Sequence, residues 1–131
     1  MPADRIHFLT VDEVLAIHGV LVERSGGPSG VRDAGLLESA LFRPQTGYYA
    51  DLEEIATAMI ESLLLNHPFV GDNKPVAFFA TDVFLRLNGW KFGVDADKAR
   101  RFLAGLMEKD MCDFDRLLPW IRRSLVGVGE R

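Results

Sequence analysis

His67, Asp72, Asn73 and Lys74 lie within eight consecutive positions, His67-Pro68-Phe69-Val70-Gly71-Asp72-Asn73-Lys74, and the stretches on either side are among the most apolar in the chain. These residue types suit transfer of a phosphoryl or nucleotidyl group, where positioning and charge neutralisation do most of the catalysis. His67 is the one group there that takes up and releases a proton near neutral pH, which fits a general base acting on a hydroxyl. Asp72 can hold a hard divalent cation such as Mg²⁺, which itself bridges phosphate oxygens. Lys74 adds a full positive charge beside a helix N-terminus, whose free amides and partial positive charge favour phosphate. Each residue also has a plainer reading. A histidine before a proline at a helix end is commonly a cap or half-buried filler, and Asp-Asn-Lys ahead of a helix is commonly a solvated N-cap.

The loop must be positioned by helices, because helical periodicity dominates the chain. A first helix is expected to open at Thr10, since Thr10 and Glu13 have the spacing of a capping box. Val11, Val14, Leu15, Ile17, His18, Leu21 and Val22 then share a stripe that ends at the glycine-rich run Ser25–Gly30. A second helix runs from about Asp33 to Phe42 or Arg43 and is broken by Pro44-Gln45-Thr46-Gly47. The third, Asp51 to Asn66, is apolar on most faces near its end, as expected of the buried centre of a bundle. The fourth is expected to start at Pro75, proline being suited to the first helical position, and to stop at Asn88-Gly89. Phe78, Phe79 and Phe84 on it read as core. Trp90 to Val94 is a short extended piece, and Asp95 or Asp97 caps a fifth helix. A sixth begins at Asp113, with Pro119 expected to kink or restart it. The reading is an all-α fold, a bundle of about six helices forming one domain over residues 1–131, with the loop between the third and fourth.

Composition narrows the function classes. The chain is 48% hydrophobic and 26% charged, which excludes a disordered segment. Its net charge is −4 and its bases are scattered, so direct nucleic-acid binding is not expected. Cys112 is the single cysteine and reads as an inert thiol, and His7 and His18 read as packing residues. No run behind Met1-Pro2-Ala3-Asp4-Arg5 resembles a signal peptide, and none approaches the about 18 apolar residues of a membrane span, so a cytoplasmic location without membrane attachment is expected.

Four blocks carry a specific resemblance. His67 to Pro75 resembles the H-P-F-x-D-G-N-K-R loop of the Doc proteins and, more loosely, the H-P-F-x-D/E-G-N-G-R loop of the Fic proteins. Arg24 to Asp33 resembles the same family's G-G-x-x-G-I/V-R-D segment, and Leu37 to Gln45 its L-E-S-A-x-x-R-P-Q stretch. Phe84 to Trp90 resembles its F-L-x-x-N-G helix end. On these blocks the chain is identified as a member of the Fic/Doc family.

The resemblance implies the toxin half of a toxin–antitoxin pair, with a small antitoxin whose tail folds onto the toxin and silences it. It also implies transfer of a phosphate from ATP or another nucleoside triphosphate, with Mg²⁺, to a hydroxyl of a host protein such as a translation elongation factor. By the same resemblance His67 is the general base, Gly71, Asn73 and Lys74 contact the nucleotide phosphates, Asp72 holds the metal, and Phe69 anchors the loop. Two positions depart from the pattern. Gly71-Asp72 stands where the family has Asp-Gly, which displaces the carboxylate by one residue. Pro75 stands where the family has Arg, which removes a bidentate phosphate clamp and one backbone N–H. Losing such a contact costs on the order of 10²–10⁴ in rate. An active transferase is the first reading. The alternatives are a catalytically impaired scaffold that binds its antitoxin or a target, and an adenylyltransferase of the Fic kind.

Overall fold

The computed structural model describes residues 5–129. Five of the six α-helices start where a short polar side chain accepts from an otherwise unbonded amide. Thr10 opens α1 (Val11–Ser25): its hydroxyl accepts from the Glu13 amide at 3.2 Å, and Glu13 reaches back to the Thr10 amide at 2.9 Å. Asp33 caps α2 (Ala34–Phe42), which continues as a short 3₁₀ turn over Arg43–Gln45, and Asp51 caps α3 (Leu52–Asn66). Helix α4 spans Asn73–Leu87. Strand β1 (Trp90–Phe92), α5 (Ala96–Glu108, capped by Asp95), α6 (Phe114–Ser124, capped by Asp113) and β2 (Leu125–Gly127) complete the chain. The expected all-α bundle is therefore observed, with six α-helices among the described residues and the loop between the third and fourth.

Helix α3 is the axis of the fold, packed on α2, α4 and α6. Every residue from Ile55 to Leu64 is buried, polar ones included. Glu61 is held by Arg43 at 2.6 Å, and the same guanidinium donates to Ser62 and to the Tyr49 hydroxyl. Helix α4 is flanked by α1, α3 and α5 and buries Val76, Ala77, Phe78, Ala80, Phe84 and Leu85. Burying a large apolar side chain contributes roughly 1.5–3 kcal/mol, so this pair of helices supplies much of the core stability.

Four expectations about elements need correction. Helix α4 begins at Asn73, two residues before Pro75, because Asp72 takes the left-handed conformation (φ +61°) and turns the chain early; Pro75 still lies in the first turn, where no intrahelical N–H bond is lost. Pro119 does not restart α6, which runs as one helix from Phe114 to Ser124. Pro119 and Asp115 are both exposed, so the carbonyl freed by the missing N–H faces water, while Leu117, Trp120 and Ile121 hold the buried face. The Trp90–Phe92 strand is not alone, since Leu125–Gly127 pairs with it antiparallel, Lys91 opposite Val126. Finally, Phe79 is not core: it is 36% exposed, whereas Phe78 and Phe84 are buried as expected.

Candidate active site

The loop 67–72 enters and leaves through left-handed residues, His67 (φ +48°) and Asp72 (φ +61°). Neither is glycine, so each conformation is uphill by roughly 1–2 kcal/mol and must be held from outside. Much of that restraint comes from the connection between α1 and α2. The Arg32 amide donates to the Pro68 carbonyl at 2.7 Å, the Asp33 amide shares that carbonyl at 3.1 Å, and the Val70 amide donates to Gly30 at 3.1 Å. Val31 and Phe69 form an antiparallel bridge. The Arg32 side chain then donates to the carbonyls of Asn66 (2.7 Å) and His67 (2.6 Å) at the C-terminal end of α3, where a cation also complements the helix dipole.

From beneath, Phe69 fills the core at 1% exposure, and the buried His18 ring stacks on it at 4.0 Å with planes 11° apart. His18 Nε2 lies 3.2 Å from the Gly71 carbonyl. A carbonyl only accepts, so this nitrogen carries the proton. His18 is thus a packing residue, as expected, that also fixes the loop backbone. Gly71 is demanded by space: a Cβ there would sit 2.7 Å from Cγ of Pro28.

The same logic sets the chemistry of His67. Its Nδ1 lies 2.8 Å from the Leu64 carbonyl, so Nδ1 is the protonated nitrogen and Nε2 keeps its lone pair. The residue is exposed, leaving that lone pair open to a reactant. A histidine oriented this way can accept a proton from a hydroxyl.

The other loop side chains divide their duties. Asn73 spends both ends of its amide on Phe69, accepting from the amide at 3.0 Å and donating to the carbonyl at 2.9 Å. Its side chain therefore closes the loop in this conformation rather than pointing to a phosphate. Asp72 does not cap α4; its Oδ2 accepts from Ser25 Oγ at 2.8 Å, leaving Oδ1 available. Lys74 makes no ion pair among the described residues. His67 makes no hydrogen bond to Asp72, Asn73 or Lys74 side chains, although all four sit on one short turn.

Among the described residues no three metal-ligating side chains cluster, so a divalent ion at the loop would rest on Asp72 and on phosphate oxygens. That donor set suits Mg²⁺, which usually keeps waters and takes only one or two protein carboxylates.

The sequence model described as "Fic/DOC family" matches residues 8–85, the span from before α1 to near the end of α4. The chain belongs to the Fic/DOC family. Among its relatives is Toxin Doc of Mycolicibacterium smegmatis, 36% identical over 99 residues that cover 70% of this chain and 75% of that protein. Another is Protein kinase doc of Escherichia phage P1, 29% identical over 85 residues, covering 62% of this chain and 68% of that protein. Within this family setting, the supports that reading of single residues passed over are Ser25, Gly30 and Arg32. Their signal was present in the Arg24–Asp33 block, whose glycines and charges have no helical use.

No helix among the described residues is long and apolar enough to cross a membrane. Cys112 is buried, and burial first, then the negative charges of Glu61 and Asp113, pushes its thiol up to about 11.

Proposed function

We propose that this chain is the toxin of a toxin–antitoxin pair, acting in the cytoplasm as a phosphotransferase on a hydroxyl of a host protein such as a translation elongation factor. The observation that carries the reading is the imidazole of His67, pinned through Nδ1 to Leu64 and open at Nε2. In the reaction Nε2 takes the proton of the target hydroxyl as its oxygen bonds to the γ-phosphorus of a nucleoside triphosphate. The bond from that phosphorus to the bridging oxygen breaks, and the nucleoside diphosphate leaves with the electron pair. The first amides of α4 and the Lys74 ammonium hold the phosphates, and Asp72 is the residue that would hold Mg²⁺. Mg²⁺, when bound, neutralises charge on the phosphate oxygens.

Asn73-Lys74, in place of the Asn-Gly of adenylyltransferases, favours γ-phosphate over nucleotidyl transfer, and the kinase name of the phage relative supports the same choice. The expected partner is a small antitoxin peptide; the scattered bases give no support to direct nucleic-acid binding. A second reading, a scaffold without catalysis, is favoured by one observation: Asp72 and Asn73 spend bonds on holding the loop, and Pro75 offers no N–H.

Purified protein free of antitoxin, with Mg²⁺ and cell lysate, is given ATP labelled at the α or the γ phosphate, beside His67→Ala. Label from γ alone, lost in the variant, is the expected result. Label from α makes the protein an adenylyltransferase. No transfer from a folded protein makes the scaffold the better reading.

A further inference from the structure

Where α1 ends, α4 begins and α5 passes, the surface holds a cavity of about 190 Å³. Its polar lining is Arg24, Ser25, Asp72 and Arg100, and Pro75 forms part of its wall. Pro75 is the position at which the family loop pattern has arginine. We infer that Arg24 and Arg100, reaching this cavity from two other helices, form the phosphate clamp that the loop itself lacks, and that its ligand is a polyphosphate carrying Mg²⁺. The ligand class rests on the phosphate-transfer reading; the cavity and its charges do not.

Arg24 has no ion pair or side-chain hydrogen bond among the described residues. Arg100 is engaged only by Asp97 at 2.7 Å, an i,i+3 surface pair whose side chains are 56% and 69% exposed. Exposed pairs of this kind are weak, so a phosphate competes for the guanidinium with little opposition. Guanidiniums bind phosphate oxygens bidentately, which a lysine cannot do. The one carboxylate in the lining defines the ligand further. Asp72 repels a bare polyanion, but its carboxylate would attract one that carries a divalent ion. A lining of two guanidiniums and one carboxylate is therefore complementary to a Mg²⁺-bound phosphate chain rather than to a free anion or a free cation.

The test measures binding of tripolyphosphate by titration calorimetry, with and without Mg²⁺, to the full chain. Arg24→Gln and Arg100→Gln are each expected to weaken binding by about tenfold, the loss of one charge-assisted contact at a partly exposed site. Arg101→Gln, an exposed neighbour outside the lining, is expected to change it by less than about twofold. Placing arginine back in the loop, Pro75→Arg, is expected to shrink the effect of Arg100→Gln, because two groups then serve one ligand and their effects stop being additive. Equal losses from Arg101→Gln, or none from Arg24→Gln and Arg100→Gln, overturn the clamp. So does a wild-type protein that ignores tripolyphosphate at millimolar concentration. Phosphate transfer measured in parallel separates the two claims: transfer that is indifferent to Arg24 and Arg100 refutes only the clamp. Arginine-dependent binding without any transfer refutes only the phosphotransferase.

Discussion

Arg32 is the residue whose removal tests most directly how the loop is held. Its side chain donates to the carbonyls of Asn66 and His67 at 2.7 and 2.6 Å, two acceptors left over at the end of α3. A hydrogen bond to a charged group contributes about 1.5–3 kcal/mol, and an exposed one falls at or below the lower end because water replaces it. Two such bonds at about 1 kcal/mol each, with the helix-end charge included, set the expected loss for Arg32→Met at about 2 kcal/mol. For a domain of this size that lowers Tm by roughly 8 °C. Arg32→Lys keeps the charge but cannot fork between two carbonyls, so it is expected to recover less than half of the loss. Urea unfolding gives the free energies, and the His67 ring resonances report whether the histidine has left its place over Leu64. If Arg32→Met unfolds within about 0.5 kcal/mol of wild type, or Arg32→Lys is fully restored, the side-chain clamp does not hold the loop.

Gly71→Ala drives a Cβ to 2.7 Å from the Pro28 ring, and an expected loss of about 1–3 kcal/mol should be largely recovered in the double variant with Pro28→Ala; additive losses in urea melts would contradict the contact. Asn73→Asp sets a carboxylate oxygen against the Phe69 carbonyl in place of a donated bond, costing about 1–2 kcal/mol at pH 7. Because the protonated carboxyl can donate again, the loss should lessen as the pH is lowered toward 4, seen as converging urea midpoints. Cys112, its thiol raised from 9.0 to about 11 by burial, should resist alkylation at pH 8 in the folded protein and react at once in urea. A raised thiol also means that the unfolded chain ionises first, so this group's contribution to stability holds below pH 9 and is lost as pH rises toward 11; a urea midpoint flat across that interval contradicts it.

Features written in a local code were legible in the sequence. Thr10 with Glu13, and Asp33, Asp51, Asp95 and Asp113 each ahead of an apolar stripe, mark the helix starts because a cap and its amide lie within three residues. The candidate loop was legible for a similar reason, being a polar run between two apolar helices. What escaped depends on partners distant in the chain. Leu125–Gly127 is too short to alternate and becomes a strand only because Trp90–Phe92 lies beside it. Phe79 looks like core on a helix that is buried almost all round, yet it stays 36% exposed beside a cavity between α1 and α5. Likewise, that Asp72 would turn to Ser25, and Asn73 to the Phe69 backbone, follows from how the α1–α2 connection folds over the loop. Nothing within the loop's own residues encodes it.

That connection has a kinetic meaning as well. Residues 30–33 and 68–70 are joined by backbone bonds, yet they are separated by all of α2 and α3. Helices α3 and α4 are neighbours in sequence and can pair early, whereas this seam must wait for a longer closure. The loop therefore belongs to a late-forming unit that also contains the glycine-rich strand of chain before α2. In hydrogen exchange the amides of Arg32, Asp33 and Val70 should open together, at a free energy below that of the α3–α4 core. A molecule that grips residues 26–33 then controls whether the candidate turn exists at all, without touching His67.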